Sequence, residues 1–163
     1  MKNKITIFIF LIFFTSSCGF KPMYKLSESS IDFRSYSVIL MNEINTSREI
    51  KEEIKKSFPK NSSENNYIIE INAIENLDPL ITNTDGTVAK YRIEIVMNFK
   101  VKGENSDFYL IEDMVRGFAQ YTVETSEIES NKKKQAMLRT ASNNAIQMMM
   151  SKIQSEISVA NDN

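Results

Sequence analysis

Between residues 88 and 101 apolar and polar side chains alternate almost without a break. Ala89, Tyr91, Ile93, Ile95, Met97, Phe99 and Val101 fall on one parity, and Val88, Lys90, Arg92, Glu94, Val96, Asn98 and Lys100 on the other. Successive strand side chains point to opposite faces, so this period predicts a long half-buried strand. Tyr67, Ile69, Ile71 and Ala73 alternate in the same way with Ile68, Glu70, Asn72 and Ile74, which predicts an earlier strand. Gly103, Asn105 and Asp107 mark a turn, after which Phe108 to Tyr121 reads as a strand antiparallel to the long one. Phe33 to Met41, rich in aromatic and β-branched residues, reads as the first strand.

Two segments carry a helical period instead. Ile50, Ile54 and Phe58 recur every fourth residue behind a Thr46/Glu49 capping box, charged residues cover the other faces, and Pro59 ends the helix before a polar loop from Lys60 to Asn66. A longer helix follows Ser126, its firm part running from Lys132 to Ile157, with Val159 to Asn163 frayed. Met137, Ala141, Ala145, Met149, Ile153 and Ile157 form one row, with Leu138, Ile146 and Met150 beside it. The order strand, helix, three strands, helix predicts an α+β fold: an antiparallel four-stranded sheet covered on one face by two helices. The Met148–Met150 cluster reads as adaptable core filler in preference to a ligand surface. Gly117, inside the fourth strand, marks either a close backbone approach or a bulge.

The N-terminus has a different pattern. Lys2 and Lys4 precede Ile5 to Phe14, which is apolar apart from Thr6, as in the charged and apolar regions of a secretory signal. Ten helical residues span about 15 Å, half of a bilayer core of about 30 Å, so the run is too short to anchor the chain. Thr15, Ser16 and Ser17 then lead to Cys18, the only cysteine. Small residues before a lone cysteine fit a lipoprotein signal, with cleavage before Cys18 and lipid on its sulfur. Thr15 departs from the aliphatic residue usual there. The expected organisation is residues 1–17 signal peptide, 18–30 lipidated tether and 31–163 a single periplasmic α+β domain. Gly19, with no Asp after the cysteine, favours the outer membrane.

Composition removes several classes of chemistry. Loss of Lys2 and Lys4 with the leader takes the net charge from −1 to about −3, so no basic excess favours nucleic acid. Histidine is absent and the cysteine is assigned to lipid, leaving no Ser-His or Cys-His pair and no His/Cys metal set. Four glycines form neither a phosphate loop nor a dinucleotide fingerprint. The expectation is a binding or assembly protein, not an enzyme, with no cofactor and no metal.

The segment Cys18-Gly19-Phe20-Lys21-Pro22-Met23-Tyr24 resembles the mature start of LptE-family lipopolysaccharide-assembly lipoproteins, especially the shorter alphaproteobacterial type. Beyond it the resemblance rests on element order and length. It implies a lipid-anchored protein on the periplasmic face of the cell outer membrane that partners and plugs the barrel LptD and binds lipopolysaccharide. For such phosphate-bearing ligands or for the barrel wall, the candidate residues are Lys90, Arg92, Lys100 and Arg116; the alternative is that they are ordinary solvated charges. The Lys132–Lys134 run reads as a solubility patch. Two other functions stay open: an auxiliary lipoprotein of another envelope lipid-transport system, which would want a deep apolar cavity, and a carboxylate-dependent hydrolase.

Overall fold

A computed structural model describes residues 36–59 and 67–161, together with the backbone alone at the end of the last helix. Its elements are β1 (Tyr36–Leu40), α1 (Arg48–Ser57), β2 (Tyr67–Thr82), β3 (Val88–Gly103), β4 (Tyr109–Thr122) and α2 (Glu127–Asn161), with a 3-10 turn at Glu43–Asn45. The four strands form one sheet in chain order. The fold class is α+β, as the alternation and helical rows imply.

The sheet is mixed, not wholly antiparallel. β2 and β4 run antiparallel to β3, but β1 pairs parallel to β2, with Tyr36 opposite Tyr67 and Leu40 opposite Ile71. The cause is α1. A helix between two neighbouring strands carries the chain back to the starting end, so both strands run the same way, whereas a tight turn would have reversed them.

The start of α1 departs from the expected capping box. Ser47 is the N-cap residue and its side chain makes no cap bond. Thr46 Oγ1 instead turns back to Asn42, 2.9 Å from its carbonyl oxygen and 3.1 Å from Oδ1. Asn42 is itself fixed, because Nδ2 donates to Ala73 O at 2.7 Å and Oδ1 accepts from Ala73 N at 3.2 Å. One side-chain amide thereby continues the β1–β2 pairing past the end of β1, and Thr46 completes that junction.

Both helices contribute to one core. Ile50 and Ile54 of α1 and Phe58 at its C-cap join the inward parity of the strands, Ile69, Ile71, Ile93, Ile95, Met97, Phe99 and Val101 among them. From α2 come Leu138, Ala141, Ala145, Ile146, Met149, Ile153 and Ile157, all buried, with Met137 and Met150 at the margin. Met149 is core filler, while Met148 is half exposed. Gly117 pairs with Ile95 without a register shift, so it is a close approach and not a bulge. A Cβ there would lie 2.0 Å from Ala141 O and 2.6 Å from Ala145 N. The missing side chain is what lets α2 settle on β4. Its helical geometry continues past Ile157 to Asn161, beyond the expected fraying point.

Candidate functional site

With both helices on the inward parity, the opposite parity forms a sheet face that no helix or strand covers among the described residues. β3 places Lys90, Arg92, Glu94, Val96, Asn98, Lys100 and Lys102 there. β2 adds Glu70, Asn72, Ile74, Asn76 and Asp78, and β4 adds Glu112, Met114, Arg116 and Phe118, by their registers with β3. Large apolar groups stay in view on this face: Ile39, Ile74, Met114 and Phe118 are exposed.

All four predicted cations lie on this face, but they do not form one cluster. From Lys90 to Lys100 the strand rises about 34 Å. Arg92, opposite Asp78 and Gln120, holds Asp78 at 2.9 Å, and its guanidinium sits 6.0 Å from the Phe118 ring centre. Arg116, opposite Val96, reaches diagonally to Glu94 at 3.2 Å, which also accepts from Asn76 at 3.0 Å. Lys100 is paired across the β3–β4 ladder with Glu112 at 2.8 Å. Lys90, opposite Ile81 and Thr122, has no carboxylate at ion-pair distance among the described residues. The sequence period identified the β3 side of this face, Glu94 included, but it missed Asp78 and Glu112, because strand register is not written in a single strand's pattern.

Tyr109 was also missed. It lies opposite Lys102 past a register shift, with Lys100 Nζ 5.0 Å and Lys102 Nζ 5.5 Å from its ring centre. Its hydroxyl donates to Glu70 at 2.9 Å, and Lys102 adds an ion pair to the same carboxylate at 3.2 Å. The Tyr109 hydrogen bond, then Lys102, hold Glu70 below the usual carboxylate range. Glu112 and Glu70 correspondingly raise Lys100 and Lys102. Beside this cluster is a shallow open depression of about 560 Å3, lined by Met41, Asn72, Asn98, Lys100, Glu112 and Met114 among others. A wet groove with apolar margins and paired charges suits the contact of an amphipathic surface.

No family model matches the chain, and no curated protein does. Solved structures do match. A chain assigned as a lipoprotein from Caulobacter crescentus CB15 superposes with a TM-score of 0.62 at 8% identity, covering 78% of this chain and 93% of that one. The rare lipoprotein B of Shewanella oneidensis gives a TM-score of 0.50 at 15% identity, covering 77% and 98%. A minor lipoprotein from Acinetobacter baumannii gives 0.52 at 12% identity, covering 76% and 92%. The chain has the fold of these bacterial lipoproteins. At such identities the shared property is the fold.

The signal segment 1–17, Cys18, the tether to residue 30, the heptapeptide from Cys18 to Tyr24, the start of the first strand before Tyr36 and the polar loop from Lys60 to Asn66 lie outside the described residues. Among the described residues, no group of acidic, His or Cys side chains is arranged to hold a metal ion, and no helix is long and apolar enough to cross a membrane.

Proposed function

We propose that the chain is a lipid-anchored, non-enzymatic assembly protein of the outer membrane, partner of a large LptD-like β-barrel in lipopolysaccharide transport. The observation that carries this reading is a lipoprotein-type start, Cys18 to Tyr24, ahead of a domain with the fold of bacterial lipoproteins. The open sheet face supports it. A protein seated inside a barrel needs a surface that tolerates a polar lumen yet offers apolar contacts, and Ile74, Met114 and Phe118 stand among paired charges there.

For lipopolysaccharide phosphates the cations differ in availability. A phosphate at Arg92, Arg116 or Lys100 competes with Asp78, Glu94 or Glu112, while at Lys90 it displaces no carboxylate among the described residues. The test is purification of the native full-length protein from its membranes. Expected are an acylated Cys18 by mass spectrometry and co-purification of a large heat-modifiable barrel. An unmodified Cys18 thiol refutes the anchor; recovery with a different envelope lipid-transport machine favours the auxiliary-lipoprotein alternative.

A further inference from the structure

The β3–β4 turn and the first residues of β4 carry a run of exposed large apolar side chains outside the core. Phe108 is 83% exposed, Leu110 60% and Tyr109 43%. Three large neighbouring side chains where the turn enters β4 are unlike the singly scattered apolar residues of an ordinary surface.

The turn is built, not loose. Ser106 N donates to Gly103 O at 3.1 Å, Phe108 N donates to Ser106 Oγ at 3.2 Å, and that hydroxyl donates to Phe108 O at 3.2 Å. These backbone groups are satisfied within the turn, which lowers the cost of bringing it into a medium poor in water. Behind Phe108, Tyr109 places an aromatic ring with a polar tip beneath Lys100 and Lys102. Phe108 and Leu110 thus flank a tyrosine that lies beside two lysines whose stems are apolar and heads charged, the side-chain types that favour a membrane–water interface.

The position of the turn matters as much as its chemistry. β1 begins at Tyr36 beside Tyr67, and Tyr67 pairs with Gly103, the last residue of β3. The chain arriving from Cys18 therefore enters the sheet at the end that carries Phe108. Residues 19–35 reach at most about 60 Å even when fully extended. A lipid on Cys18 would keep this end close to the leaflet, where a contact too weak to hold a free protein becomes effectively intramolecular.

We propose that Phe108 and Leu110 form a second, non-covalent membrane contact, inserted shallowly in the interface of the bilayer that holds the Cys18 lipid. The inference rests on the lipid-anchored reading above. The contact is apolar in origin: Glu112 and Glu70 offset Lys100 and Lys102, and Glu104 and Asp107 remain on the turn. Anionic lipid therefore does not strengthen it.

The chain has no tryptophan, so Phe108→Trp creates a single fluorescent reporter. The full-length lipidated variant is reconstituted in phosphatidylcholine vesicles containing lipid brominated near the headgroup. Expected are flotation with the vesicles, blue-shifted emission and quenching by the brominated lipid. Leu110→Trp should behave alike, and Ile128→Trp, at the start of α2 by the opposite end of the sheet, should stay unshifted and unquenched. Flotation with unquenched reporters at both 108 and 110 overturns the turn contact while leaving the anchor standing. Failure to float overturns the anchor and this inference with it. Quenching only in the presence of anionic lipid, or a blue shift only with a co-purified barrel, assigns the turn to electrostatic adsorption or to protein, and overturns it equally.

Discussion

Gly117 decides how closely helix and sheet meet. Its missing Cβ is the space that Ala141 O and Ala145 N occupy, and both are backbone atoms that cannot rotate away. Gly117→Ala must lift α2 from β4 and should cost about 3 kcal/mol or more, as overpacking of a closed site does. A urea midpoint unchanged from the parent would refute the close approach. Ile95, directly opposite and fully buried, tests the same junction from the other side. Ile95→Ala should cost about 2–5 kcal/mol through the cavity it leaves, read in the same titration. The strand glycine was visible in the sequence, but its role was not, because a bulge and a close approach call for the same residue.

Among the elements, those whose partners lie within their own period were legible and those defined by a distant partner were not. The rows Ile50/Ile54/Phe58 and Ala141/Ala145/Met149 and the alternation of β3 each declare a buried face locally. Nothing local in Tyr36 to Leu40 says that it pairs parallel, and β2 runs on to Thr82 because β3 pairs with it past Ile74, across Pro79. The site was half legible for the same reason: the parity of β3 placed Arg92, Glu94 and Lys100 on one face, while Asp78, Glu112 and Arg116 come from neighbouring strands. β4 shows a further role for α2. As a sheet edge β4 presents unpaired backbone groups, a template for another strand. Asn144 donates to Phe118 O at 3.2 Å and Lys152 to Met114 O at 3.2 Å, and Lys152 also holds Asp113, keeping that carboxyl below its usual range. Lys152→Glu frees a carbonyl and sets two carboxylates together. It should lower the urea midpoint and produce self-association by light scattering, and a variant that stays monomeric at high concentration would remove the guarding role.

For the whole molecule the charge pattern makes a statement about pH. Folding pushes Glu52, Glu70, Asp85 and Asp113 down, chiefly through hydrogen bonds from Arg48, Tyr109, Thr87 and Lys152 respectively. A carboxyl depressed by folding contributes stability above its unfolded pKa, and that contribution is lost as pH falls through the folded value. Folding pushes Lys100 and Lys102 up through their carboxylate partners, and Tyr36 and Tyr121 up chiefly through burial. A raised group contributes below its unfolded pKa and loses that contribution as pH rises through the folded one. The two limits fall near the ordinary carboxylate range and near the lysine and tyrosine range. Between them histidine would be the side chain to titrate, and the chain has none. Stability of the mature chain carrying Cys18→Ala, which removes the thiol, should therefore be flat from about pH 5 to 8, fall below about pH 4 and fall again above about pH 10. Glu70→Gln should flatten part of the acid limb, because its two partners then gain nothing from the loss of a proton there. Urea midpoints across this range provide the measurement, and a midpoint that moves between pH 6 and 8 would mean that a group outside this set senses folding.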